Sequence, residues 1–261
     1  MDALTRLSSV VFLSAVLAGC ATTSRPAYDT LIAHGGESLD APENTLPAYR
    51  LAVERGFGFE CDLHLSSDGR VVVGAHPAPL EDVLALARNG RRIYLVVKSG
   101  AEIAPVLKSA LSSQSAATPR NVLFVSSDKA VCVAIKDALP EYTVYLLSSL
   151  GEGVAAQSLA QAAREARAEG VYVRFDPDVV NEEFVAAVKS DGLSFHVWTL
   201  DNLSLVLRAF AVGADTVTAN GAKQMFDEYC ALYAPEQRSG AEFDERIPDG
   251  AAYPSAQVHG F

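Results

Sequence analysis

The sequence predicts an α/β fold, a single-domain (β/α)8 TIM barrel, on three observations. Strand-length runs rich in Val, Ile, Leu, Tyr and Phe alternate with helix-length segments along most of the chain. Such strands, apolar on both faces, belong in a parallel sheet covered by helices. The count is close to eight β/α units, and 261 residues suit one barrel, since barrels use about 250 residues as one domain. A doubly wound sheet is the alternative with the same pattern.

Thr30–Ala33 is the first predicted strand. Leu46–Arg55 is the first helix, with Pro47 near its start and Gly56 as its stop. Phe57–Leu65 follows as a strand, and Asp68-Gly69 reads as a hairpin turn into Arg70–Gly74, an extension of the second unit. Helix Leu80–Arg88 ends near Asn89-Gly90 and leads to strand Arg92–Val97, helix Ile103–Leu111 and strand Asn121–Ser126. Next come helix Asp128–Leu139, strand Thr143–Leu147, helix Val154–Glu169 and strand Val171–Arg174. Helices Glu182–Ser190 and Leu203–Val212 have Asn181 and Asn202 as N-caps and flank strand Ser194–Trp198. Asp215–Thr218 and Lys223–Tyr233 close the series. Gly170, Gly192 and Gly213 stand where left-handed helix caps are wanted.

The termini differ from this body. Residues 1–19 carry Arg6 and an apolar run too short to span a bilayer, the layout of an export signal. Leu17-Ala18-Gly19-Cys20 resembles a bacterial lipobox, which implies lipidation at Cys20 and attachment to the cell envelope. For a Gram-negative source, Ala21 is compatible with sorting to the periplasmic face of the outer membrane. Residues 20–28 read as a tether, 29–233 as the barrel, and 234–261 as an acidic polar tail. The remaining cysteines, Cys61, Cys132 and Cys230, lack the spacing of a disulfide or zinc framework and read as small buried residues. A net charge of −11 with no basic stripe excludes nucleic acid as a partner.

Chemistry in a barrel collects at the C-terminal strand ends. The first strand ends in His34-Gly35-Gly36, and Glu60, Asp62 and His64 share one face of the second. Two like charges on one strand face are costly if buried without a cation, and oxygen ligands suit Mg²⁺ or Ca²⁺; a solvated strand edge is the alternative. Lys98 emerges from a Val-rich strand, and Trp198, the only tryptophan, ends another, as a pocket wall or as core.

These residues carry a family resemblance. Ile32-Ala33-His34-Gly35-Gly36, Pro42-Glu43-Asn44-Thr45, Glu60-Cys61-Asp62, Asp68-Gly69, Val71-Val72-Val73, Val197-Trp198-Thr199-Leu200-Asp201 and the stretch Gly213–Asn220 resemble the glycerophosphodiester phosphodiesterases. That resemblance implies the same barrel and hydrolysis of glycerophosphodiesters to glycerol 3-phosphate and an alcohol. It implies His34 and His76 as general acid and base, Glu60 and Asp62 as ligands of a divalent metal, Lys98 facing the phosphate and Trp198 lining the pocket. The partner expected is a glycerophosphodiester or a lysophospholipid-like molecule, with the membrane reached through the lipid anchor.

The chain departs from the family pattern at three places. Gly35 stands where the family has Arg, and Val96 where it has a metal-binding Glu. His76 falls one residue late, and a one-residue slip reverses the facing of a strand residue. His64 and Glu37 are substitutes within reach in sequence. Two rivals follow: a catalytically impaired barrel that binds a phosphoester or partner on the envelope, and a phospholipase D-like headgroup enzyme of the same superfamily.

Overall fold

A computed structural model describes residues 26–74, 77–114, 119–150 and 153–233. The export signal, Cys20, the tail and His76 lie outside the described residues, and no described helix is long and apolar enough to cross a membrane. The barrel is closed by eight parallel strands: β1 (Leu31–Ala33), β2 (Gly58–Leu65), β5 (Ile93–Val97), β6 (Val122–Ser126), β7 (Thr143–Ser148), β8 (Gly170–Arg174), β9 (Ser194–Leu200) and β10 (Thr216–Ala219). β1 pairs with both β10 and β2, which closes the ring. A doubly wound sheet is thereby excluded.

The two short strands β3 (Val71–Val73) and β4 (Ala78–Pro79) run antiparallel beside the end of β2. Gly69, at φ 77°, makes the turn into β3 where Asp68-Gly69 predicts one. β4 was not visible as a strand because two residues carry no periodicity.

Helices α1 (Leu46–Glu54), α2 (Leu80–Leu84), α3 (Ile103–Ser112), α4 (Lys129–Ala138), α5 (Ala156–Glu165), α6 (Glu182–Lys189), α7 (Leu203–Ala211) and α8 (Ala222–Tyr233) follow the barrel strands. Asn181 and Asn202 cap α6 and α7 as predicted, accepting from the backbone N–H of Phe184 at 2.9 Å and Leu205 at 3.0 Å. Gly170 caps nothing: α5 ends at Glu165, Arg167 takes the left-handed turn at φ 56°, and Gly170 opens β8. There a Cβ would come within 2.1 Å of Ser194 Oγ, so the glycine serves close strand packing.

Strand alternation sorts the core into two layers. Phe59, Cys61, Leu63, Leu95 and Val173 face outward into the main core beneath the helices. Ile32, Tyr94, Val96, Val125, Tyr145 and Tyr172 face inward and fill the barrel. Cys61 and Cys132 are buried as predicted, whereas Cys230 is only half-buried.

Candidate active site

Glu60 and Asp62 alternate with the outward residues Cys61 and Leu63, so both carboxylates face the barrel interior. His34 leaves the end of β1 with its backbone N–H bonded to the Ala219 carbonyl at 3.0 Å. Its Nδ1 lies 2.9 Å from Asn220 Oδ1. A carboxamide oxygen only accepts, so this bond keeps the proton on Nδ1 and leaves Nε2 as the exchanging nitrogen. Nε2 stands 3.7 Å from Glu60 Oε2, and Nδ1 stands 3.8 Å from Glu43 Oε1.

Burial raises the Glu60 carboxyl to about 7, with the nearby imidazole of His34 acting against it and the Asp62 charge adding to it. The Tyr172 hydroxyl reaches Glu60 Oε2 at 3.5 Å and is itself bonded to the Thr218 hydroxyl. Asp62 is half-exposed and pairs with Lys98 Nζ at 2.9 Å. Asn44, at φ 56°, accepts with one carboxamide oxygen from the Asp62 N–H and the Tyr49 hydroxyl, each at 3.2 Å, and so ties its loop to β2. Trp198 donates from Nε1 to the Tyr172 carbonyl at 3.1 Å and stacks on the Tyr172 ring.

The structure therefore brings His34, Glu60, Asp62, Lys98 and Trp198 to one mouth. It separates Glu37 from them. Glu37 is buried, pairs with Arg55 Nη1 at 3.2 Å and accepts from the Lys223 N–H at 3.0 Å, so both its oxygens hold the loop against α1 and α8. It does not replace the missing carboxylate. His64 shares the inward face of β2 but sits on the hairpin extension opposite Val72. His76 lies outside the described residues.

Four contributors escaped the sequence reading. Asn220 and Glu43 stand in quoted motifs, yet only the fold shows that they meet His34. Tyr172 reads as core. Arg174 ends β8 on the inward face of Tyr172, in register with Trp198, and is exposed at the mouth; its signal was its place as the last residue of a strand.

The two departures on described residues have a geometric basis. Val96 is buried on the inner face directly opposite Asp62, where a carboxylate would face the site. Gly35 adopts φ 59°, and a Cβ there would lie 2.3 Å from Glu43 Cγ, so an arginine would strain this turn. Among the described residues no group of three His, Cys, Asp or Glu side chains is arranged to hold a metal. Glu60 and Asp62 supply two carboxylates on one face of β2, the oxygen chemistry that Mg²⁺ or Ca²⁺ takes, and Asp62 is paired with Lys98.

A closed ring of eight parallel strands with polar groups collected at its C-terminal mouth defines the class, a (β/α)8 barrel protein. The chain belongs to the glycerophosphoryl diester phosphodiesterase family, whose family model matches residues 34–76 and 89–222. A glycerophosphodiester phosphodiesterase of Caldanaerobacter subterraneus subsp. tengcongensis is 48% identical over 44 residues, 16% of this chain and 18% of that protein's length. The fold is shared with a phosphodiesterase of Oleispira antarctica solved with the product sn-glycerol-3-phosphate, at TM-score 0.66 and 20% identity over 76% of this chain and 96% of that one. It is also shared with a glycerophosphodiester phosphodiesterase of Parabacteroides distasonis, at TM-score 0.63 and 18% identity over 78% and 97% of the two chains.

Proposed function

We propose that the protein hydrolyses glycerophosphodiesters to glycerol 3-phosphate and an alcohol at the C-terminal mouth of its barrel. The observation that carries this reading is His34, fixed by Asn220 on one nitrogen and facing Glu60 with the other. Water attacks phosphorus and gives up a proton as the new P–O bond forms. His34 Nε2 accepts that proton. The leaving alkoxide takes it back from Nε2 as its P–O bond breaks, which leaves glycerol 3-phosphate and the alcohol. The Glu60 carboxyl, 3.7 Å from Nε2, faces the imidazole and favours its protonated form during the transfer.

Lys98 and Arg174 supply positive charge for the phosphate oxygens, Arg174 in place of the guanidinium absent at Gly35. Trp198 covers the apolar edge of the glycerol. Glu60 and Asp62 would hold a divalent metal, Mg²⁺ or Ca²⁺, which would supply Lewis-acid polarisation of the phosphoryl oxygens. Lipidation at Cys20 would keep the enzyme on the bacterial envelope.

The test is release of glycerol 3-phosphate from glycerophosphocholine, with lysophosphatidylcholine in parallel and Mg²⁺ or chelator present. Release from glycerophosphocholine supports the reading. Choline release with the phosphate left on the lipid supports the phospholipase D-like rival, and binding without turnover supports the impaired barrel.

A further inference from the structure

The opposite end of the barrel carries a second concentration of positive charge. Gly58 opens β2, Arg92 immediately precedes β5, and Arg120 lies two residues before β6, so all three belong to the N-terminal mouth. A cleft of about 230 Å³ there is walled by Arg91, Arg92 and Arg120, with Tyr28 and Asp29 at its rim and buried Ile32 at its floor. That volume admits several waters or one small hydrated anion. Gly58 lets the Arg92 backbone approach closely, since a Cβ there would come within 2.6 Å of the Arg92 carbonyl oxygen.

The charge is unbalanced. Arg55, Arg70, Arg164 and Arg167 each pair with a carboxylate. Among the described residues Arg91, Arg92 and Arg120 form no ion pair; the Tyr94 hydroxyl hydrogen-bonds Arg92, and Asp29, the one acidic residue lining the cleft, lies near enough to favour the charged form of Arg92. Arg91 is held in place over the Tyr28 ring at 5.9 Å. In a chain of net charge −11, three arginines on one concave surface oppose the overall field. Planar guanidinium groups match phosphate oxygens two at a time.

We propose that the N-terminal mouth of the barrel is a second anion site, separate from the active site, which takes a phosphate group through Arg91, Arg92 and Arg120. The phosphate belongs either to a free phosphoester or to an anionic lipid headgroup. The second source rests on the lipid-anchor reading. Tyr28 lies eight residues after Cys20, a reach of about 28 Å at full extension, so an anchored chain would hold this mouth near the bilayer.

The test follows the arginine Nε–Hε resonances of the full chain, carrying Cys20→Ser, as inorganic phosphate is added. We expect saturable shifts at Arg91, Arg92 and Arg120. The double variant Arg92→Lys/Arg120→Lys should weaken phosphate at this mouth by about fivefold or more, because charge is kept but paired hydrogen bonding is lost. Arg92→Gln/Arg120→Gln should abolish it, with glycerophosphodiester turnover changed less than about twofold. The charge-matched Arg50→Gln/Lys108→Gln should have no effect. Retention on phosphatidylglycerol vesicles but not phosphatidylcholine vesicles, lost in the glutamine double variant, assigns a lipid headgroup. Phosphate shifts with vesicle retention equal in all variants assign a free phosphoester. Shifts confined to the Lys98 and Arg174 end, equal affinity in the arginine and charge-matched variants, or loss of turnover in the glutamine double variant would overturn the proposal. An inactive parent chain would refute the hydrolase reading and leave the phosphate titration interpretable.

Discussion

Glu60 and His196 both lie inside the barrel, and the protein treats them in opposite ways. His196 has a partner on each ring nitrogen, the Thr216 hydroxyl at 2.7 Å and the Ser194 hydroxyl at 2.9 Å, and stacks on Tyr145. Burial lowers its pKa to about 3, so it is a neutral packing and hydrogen-bonding element. Among the described residues Glu60 has long contacts, to Tyr172 at 3.5 Å and to His34 at 3.7 Å. A buried polar group tightly bonded on every side rigidifies a core. A buried acid with loosely held oxygens, facing a histidine at a strand end, is available for proton transfer.

The largest effect expected away from His34 itself comes from Glu60→Gln. Turnover should fall by about a hundredfold or more if the carboxyl takes part in proton transfer or ligation. Stability should move the other way. The folded-state pKa of Glu60 is raised to about 7 from 4.5, so between these values the folded protein binds more protons than the unfolded chain. Stability therefore falls as pH rises from about 4.5 to about 7, by about 3 kcal/mol in chelated buffer, and Glu60→Gln should remove that loss. Urea unfolding at pH 5 and pH 8 measures both slopes.

His196 supplies the contrasting slope. Its folded pKa is depressed, so the unfolded chain binds more protons between about 3 and 6.5, and its stabilisation, complete above 6.5, is lost as pH falls through that window. His196→Gln should flatten acid unfolding there while leaving the pH profile of turnover in place. A shifted turnover profile would erase the distinction drawn between the two groups.

The barrel and most of the mouth were legible because they rest on strand parity. The spacing Glu60, Asp62 fixes a shared face; that this face is inward and not a solvated edge follows from Cys61 and Leu63 packing outward beneath the helices. Contacts between distant strands were not legible. Asn220 meets His34 only because β10 lies beside β1, and Arg174 reaches the mouth only through its register with Trp198. Glu37 misled for the same reason: adjacency to Gly36 suggested the site, whereas the turn sends its side chain to Arg55 and α8.

Smaller effects sharpen the account of the mouth. Arg174→Gln and Lys98→Gln should each raise KM by roughly tenfold, the scale of one charge-assisted contact to phosphate, with Arg174→Lys recovering only part of the loss. Val96→Glu should tighten Mg²⁺ binding severalfold by adding an anionic oxygen opposite Asp62. Calorimetric titration with the metal checks this, and an unchanged affinity would mean that another group already fills that place.

The most direct measurement compares glycerol 3-phosphate release from glycerophosphocholine by the unmutated chain and by His34→Gln, with thermal unfolding of both. The account predicts turnover in the parent, a loss of about a hundredfold or more in His34→Gln, and a retained unfolding transition. Undiminished turnover in a folded His34→Gln protein would contradict it.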